Sequence, residues 1–167
     1  NPVKNIIRVY TSIDVEIVFE NADVTTTLQQ KEKYYSPYFE PSWGKIFNYK
    51  PLVSSKSNFT KYPVKYVIVA DTMFYNTLQP FIQWKIKKGF TVIQAYTSNP
   101  AVGNTTTSIK SYLQNLYNAG TSSDPAPSFV LFVGDVEQVP AFSGTQGSHV
   151  SDLYYCEFTG DFFPEVY

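Results

Sequence analysis

The 167 residues hold one cysteine, one histidine and one methionine. A single Cys156 excludes an internal disulfide, so nothing covalent staples the fold, and the redox compartment is left open. No apolar stretch approaches the roughly 20 residues that a membrane-spanning helix needs. The formal net charge is −1, which excludes the basic footprint that nucleic-acid binding requires. Glycine is absent before Gly44, and no glycine-rich phosphate loop follows the first apolar strand pattern, which sets dinucleotide binding aside. Asn1 opens no leader pattern, so any targeting segment is expected upstream of it or already removed.

Aromatic residues are abundant instead. They make up 17% of the chain, with 14 Tyr and 13 Phe, roughly twice the ordinary share. Such tyrosine-rich, charge-balanced compositions are commoner in secreted or surface proteins than in compact cytosolic enzymes. An apolar content of 43% is that of a globular chain, enough for one domain or for one domain and a piece of another.

The first 50 residues differ from the rest. Around Ile7 and Val9, and again at Ile13, Val15, Ile17 and Phe19, apolar and polar residues alternate with a period of two, which predicts half-buried antiparallel strands. Residues 28–50 turn Tyr-, Pro- and Lys-rich, and residues 51–62 are polar and serine-rich, as expected of a linker. Beyond it the pattern becomes strand, helix, strand, helix, strand. Residues 64–70 form an apolar run of the kind found in strands covered on both faces. A helix is predicted from Leu78, Phe81, Ile82, Lys85 and Ile86, closed by Gly89, and another from Ile109, Tyr112, Leu113 and Leu116, capped by one of Thr105 to Thr107 and closed by Gly120. Residues 90–96 and 129–133 are the second and third strands. Two successive βαβ units impose a parallel sheet with right-handed crossovers.

In such a sheet, chemistry gathers at the carboxyl ends of the strands, where Asp71 and Asp135 stand. Asp71 reads first as the cap of a following turn. Asp135 draws more interest because of an acidic turn near the end, Gly160-Asp161-Phe162-Phe163-Pro164-Glu165. If residues 150–158 form a strand beside residues 129–133, then Asp135, Asp161, Glu165 and the Phe163 carbonyl make an oxygen cage suited to Ca2+; ordinary turn chemistry is the alternative. His149 and Cys156 suggest a catalytic dyad at first sight, but a spacing of seven puts them on opposite faces of one strand. Cys156 is expected to be a small core residue, and His149 to sit on an exposed loop.

The run Pro80-Phe-Ile-Gln-Trp84-Lys85, Lys88-Gly89-Phe90, Ser108-Ile-Lys110, Phe132-Val-Gly-Asp135, Ser151-Asp-Leu-Tyr-Tyr155 and Gly160-Asp-Phe-Phe-Pro-Glu-Val166 resembles the start of the catalytic domain of gingipain-type cysteine peptidases. The resemblance covers residues 62–167 and is most specific in the last twenty. It implies an α/β, caspase-like parallel-sheet subdomain, incomplete in itself and preceded by a short β-rich segment. It further implies that residues 1–50 are the tail of a propeptide, 51–62 a processing linker and 63–167 the N-terminal catalytic subdomain. The whole protein would be a secreted or cell-surface bacterial endopeptidase made as a zymogen and acting on protein or peptide substrates. Carried over residue by residue, the family's calcium site falls on Asp135, Asp161, the Phe163 carbonyl and Glu165. Thr159 departs from the family pattern, which places another Asp there. The catalytic Cys and His of the family match no residue in this chain and follow later strands, so the sheet is expected to be completed by the remainder of the catalytic domain. Two other readings stay open: a non-catalytic relative serving binding or secretion, and a flavodoxin-like module that uses Asp71 and Asp135 for metal or phosphate.

Overall fold

The computed structural model describes residues 7, 9–46, 49, 64–144 and 149–160. Its centre is a three-stranded parallel sheet in the order β2-β1-β3, with β1 at Val64–Ala70, β2 at Phe90–Tyr96 and β3 at Phe129–Val133. Val64 pairs with Phe90 and Ala70 with Tyr96, while Tyr66 pairs with Phe129 and Ala70 with Val133. Helix α3 (Tyr75–Lys87) returns the chain from β1 to β2, and α4 (Thr106–Asn118) carries it from β2 to β3. The parallel central sheet, the bounds of its three strands and the places of the two helices agree with the sequence reading.

Alternation along β1 explains why two helices suffice. Val67 and Val69 face one core with Ala95, Ile109 and Leu113, and Ile68 and Ala70 face another with Leu78 and Ile82. Since β1 to β2 steps one way and β2 to β3 crosses back over β1, the handedness rule sends the two helices to opposite faces. A strand sandwiched in this way must be apolar on both sides, and Val67, Ile68, Val69 and Ala70 are all almost fully buried.

Local signals set the helix ends. Thr105 caps α4 by accepting a hydrogen bond from the Ser108 N–H (3.2 Å) while the Ser108 hydroxyl accepts from the Thr105 N–H (3.1 Å), a reciprocal capping box. Gly89 closes α3 at φ +90°, a conformation in which a side chain is disfavoured. Lys85 lies on the predicted apolar stripe because its ammonium sits among rings: 4.1 Å from the Tyr66 centroid, 4.9 Å from Phe90, 5.2 Å from Trp84 and 5.3 Å from Phe81.

Two expectations meet a different arrangement. Among the described residues of 1–50 no strand is paired, and Ile13, Val15, Ile17 and Phe19 are 74–78% exposed. An alternating pattern makes a strand only when a partner supplies its hydrogen bonds and covers its apolar face. The chain instead forms α1 (Val24–Lys33), capped by Asp23, whose carboxylate accepts from the Thr26 N–H (2.9 Å) and hydroxyl (2.7 Å); these bonds hold the acid below its ordinary range. A short α2 (Glu40–Trp43) follows. The second difference concerns residues 150–158, which do not run beside β3. Only Val150–Ser151 is extended, as β5, and it pairs antiparallel with β4 (Phe142–Ser143). Leu153–Tyr155 then turns as one 3-10 helix and drives the Tyr155 ring onto Phe132 (4.7 Å) and Phe142 (4.9 Å), over the face covered by α4. Burial of that ring in the core outweighs continued extension. The predicted linker, residues 51–62, lies outside the described residues.

Ile109 is fully buried where α4 meets β1, so Ile109→Ala is expected to destabilise the chain by about 2–5 kcal/mol, read as a lower chemical-denaturation midpoint with an unchanged slope.

Candidate functional site

All three strands point their carboxyl ends the same way and so deliver three loops to one edge. Leaving β1, Asp71 accepts a hydrogen bond from the Met73 N–H (2.7 Å) and starts a 3-10 turn, Thr72–Phe74, which is the capping role its position suggested. The loop after β2 is tied to it twice. The Thr97 N–H donates to the Ala70 carbonyl (3.0 Å), and the Ser98 and Thr72 hydroxyls are hydrogen-bonded to each other. Because the chain leaves β1 toward one face and enters β3 from the other, the ends of β1 and β3 flank the point where the winding reverses. An open cleft of about 230 Å³ lies there, lined by Asp71, Thr97, Ser98, Asn104, Glu137 and Gln138.

Leaving β3, the chain passes through Gly134 at φ +137°, where an added Cβ would stand 2.8 Å from the Gln138 Cβ. This glycine permits the sharp exit that presents Asp135. Asp135 is exposed, and its turn is closed by its own groups. Its Oδ1 accepts from the Val136 N–H (2.7 Å), its N–H donates to Gln138 Oε1 (2.8 Å), and its carbonyl accepts from the Gln138 and Val139 N–H groups (2.9 Å each). Asp135 also lines a second open cleft, of about 190 Å³, together with Phe132, Ser151 and Asp152. Sequence reasoning did not single out Asp152 as a site residue, although it belongs to the Ser151-Asp-Leu-Tyr-Tyr155 run. Its place opposite Asp135 follows from the β4–β5 hairpin, which the strand pattern did not predict.

The other expected ligands, Asp161, the Phe163 carbonyl and Glu165, lie outside the described residues. Among the described residues, no group of three or more His, Cys, Asp or Glu side chains is close enough to hold a metal ion. The approach to the acidic turn is described as far as Gly160. Glu157 is buried, accepts from the Gly160 N–H and lies 3.9 Å from the Lys110 ammonium, and Gly160 itself takes φ +88°. A buried carboxylate of this kind holds Gly160 in its turn, because it loses part of its compensation if that N–H moves away. Cys156 is buried in the core against α4, and His149 is exposed, its carbonyl accepting from the Gly144 N–H (3.0 Å). Both match the environments expected for them, and neither is placed for catalysis.

The arrangement is that of an open α/β scaffold which brings its polar groups to the carboxyl edge of a parallel sheet. The model of peptidase family C25 matches residues 59–167, and the chain belongs to that family. Lys-gingipain from Porphyromonas gingivalis is 34% identical over 165 residues, covering 99% of this chain and 10% of the relative. Gingipain R1 from the same organism is 25% identical over 173 residues, covering 100% of this chain and 16% of the relative. The chain therefore spans a small part of the curated relatives it matches. A solved structure described as a protease superposes with a TM-score of 0.58 and 38% identity, over 62% of this chain and 23% of that one. That likeness agrees with the expected caspase-like fold.

Tyr155 closes the floor beneath this edge: its ring is fully buried, its hydroxyl donates to the Pro140 carbonyl, and burial pushes its phenol up to about 12. A phenol whose folded value exceeds its unfolded value of 10.0 stabilises the fold fully below pH 10, and that contribution is lost as pH rises through about 12. Tyr155→Phe is expected to cost about 1–2 kcal/mol near neutral pH and to lose less stability than the native chain between about pH 10 and 12, as read by urea titrations at each pH.

Proposed function

We propose that this chain is part of a gingipain-type cysteine endopeptidase precursor: residues 1–50 a propeptide tail, 51–62 a processing linker, and 63–167 the first α/β subdomain of the catalytic domain. The carrying observation is the family match over residues 59–167, supported by a parallel sheet whose carboxyl edge gathers Asp71, Thr97 and Asp135. In the whole enzyme a cysteine thiolate attacks the peptide carbonyl with a histidine as general base, and water resolves the acyl-enzyme. Both residues belong to sequence beyond Tyr167. Cys156 is unsuited to the role, because a thiol buried in the core is out of reach of substrate. This chain would be catalytically silent alone, its part being to build the edge on which the remainder of the domain assembles. The substrate is protein or peptide, and the location is the bacterial surface or the medium; among the described residues no helix is long and apolar enough to cross a membrane.

In this reading Asp135, Asp161, the Phe163 carbonyl and Glu165 hold a structural Ca2+. Asp135 fits, since its exposed carboxylate opens on a cleft shared with Asp152 and is not neutralised by a lysine or arginine ion pair among the described residues. The ion would supply charge neutralisation, and the residues would tie the terminal loop to the end of β3. Thr159, in place of a carboxylate, points to weaker binding than in the family. A chain extended past Tyr167 is expected to melt higher with calcium than with chelator, the stabilisation reaching about 2.7 kcal/mol at a hundredfold excess over the dissociation constant. Asp161→Ala should abolish the shift. Equal melting temperatures in the native sequence would reject the site, and a shift that survives Asp161→Ala would move it elsewhere.

The division into propeptide, linker and subdomain has its own check. Lys50, Lys56 and Lys61 stand amid Pro, Ser and Asn, a composition typical of nicking sites. Trypsin at low dose is expected to cut within residues 45–62 before cutting anywhere in 64–133; first cuts inside β1, α3 or α4 would contradict the division.

A further inference from the structure

The larger cleft at the carboxyl edge, about 230 Å³, is lined by none of the residues assigned to calcium. Its walls come from the ends of all three strands: Asp71 follows β1, Thr97 and Ser98 follow β2, and Glu137 lies in the turn after β3. These walls are fixed in place by the backbone. The Thr97 N–H reaches across to the Ala70 carbonyl, Thr72 and Ser98 share a hydrogen bond, and the turn carrying Glu137 is closed by the Gln138 and Val139 N–H groups on the Asp135 carbonyl.

The lining is rich in acceptors and carries no counter-charge. Neither Asp71 nor Glu137 enters an ion pair among the described residues, and no lysine, arginine or histidine lines the cleft. Asp71 Oδ1 is occupied by the Met73 N–H, which leaves the other oxygen to accept from outside. Thr97 points to a ligand independently of these charges. It is 7% exposed, yet it lines the cleft, and its hydroxyl has no hydrogen-bond partner among the described residues. A hydroxyl this deeply buried costs free energy until something pairs with it, and a partner can reach this one only from the cleft.

The chemistry of the lining narrows the ligand. Two carboxylates without a counter-charge call for a cation. A bare hard metal ion needs about six to eight oxygens close around it, and among the described residues no group of three or more acidic side chains gathers. A guanidinium pairs best with both oxygens of one carboxylate, and Asp71 has one already engaged. Quaternary ammonium groups are held by aromatic rings, none of which lines this cleft. A primary ammonium fits, being a compact charge with three donors and no acceptor. We propose that this cleft binds a primary ammonium group, its three N–H donors going to Asp71, Glu137 and the Thr97 hydroxyl. The inference does not depend on the peptidase reading, since it uses only the residues that line the cleft. A free alkylamine and the side chain of a lysine in a polypeptide both carry this group, and the test separates them.

The full chain is titrated near neutral pH with n-butylamine, Nα-acetyl-lysine methylamide, Nα-acetyl-arginine methylamide and the uncharged n-butanol, and binding is followed by the NMR shifts of the backbone amides. Saturable shifts at Thr72, Met73, Ser98 and Glu137 are expected for both amines, with dissociation constants of about 1–10 mM, for the arginine derivative to be about fivefold weaker, and for n-butanol to be absent. A lysine derivative held about threefold more tightly than n-butylamine assigns the site to a polypeptide side chain, and equal affinities assign it to a free amine. Asp71→Asn, which keeps the acceptor for the Met73 N–H, and Glu137→Gln should each weaken binding about tenfold, and Thr97→Val about threefold. If Thr97→Val fails to fold, Asp71→Asn and Glu137→Gln decide. Asp124→Asn removes the same charge beside Lys65, at the amino end of β1, and should leave the affinity unchanged. The proposal is overturned if n-butylamine gives no saturable shift up to about 100 mM, a range that covers millimolar binding. It is overturned equally if n-butanol or the arginine derivative binds as well as the amines, if neither Asp71→Asn nor Glu137→Gln weakens binding, or if Asp124→Asn weakens it as much.

Discussion

The structure depends on the burial of one short strand. β1 is paired with β2 along its whole length and with β3 from Tyr66 to Ala70, and its Val67, Ile68, Val69 and Ala70 side chains are covered by α3 on one face and α4 on the other. Because it lies in the middle, its direction sets that of its neighbours, and the handedness of the crossovers then sets which helix covers which face. The convergence of Asp71, Thr97 and Asp135 follows from this, since each simply leaves a strand that β1 has aligned. No polar residue had to be steered there individually.

The two ends of the sheet have opposite chemistry. At the amino end, Tyr66, Phe90 and Phe129 meet across three strands, and Lys85 threads its stem between rings so that its charge is spent on their faces. The carboxyl end carries turn-forming acids, hydroxyls and two open clefts. The aromatic excess of the composition is thereby concentrated in part at a surface where packing is wanted, and the solvent-facing edge is left to groups that can change partners. The end whose rings pack the chain together is thus not the end at which polar groups and clefts open to solvent.

The five elements from 64 to 133 could be read from the sequence because each carries its own signal: continuous apolar runs for the strands, apolar stripes for α3 and α4, Gly89 and Thr105 at their ends. Asp71 as a turn cap, Cys156 as a core residue and His149 as an exposed one were legible for the same reason, each being decided by neighbours within a few positions. The exceptions were settled at longer range. Alternation over residues 13–19 signals a strand only if a partner exists, and helix α1 is so polar that it shows no apolar stripe to read. The turn of Leu153–Tyr155 depends on Phe132 and Phe142, twenty and ten residues or so upstream, which no local pattern reveals. Asp152 beside Asp135 was missed for that reason.

If β1 is the element on which everything else rests, its amides should open only when the whole chain unfolds. Native-state hydrogen exchange measures this directly. The Val67, Ile68, Val69 and Ala70 amides are expected to be the slowest in the protein and to exchange with the free energy of global unfolding, those of β2 and β3 to be faster, and those of α1 to be far less protected. Slower exchange in an edge strand or in α1 than in β1, or opening of β1 while α4 stays protected, would contradict the account.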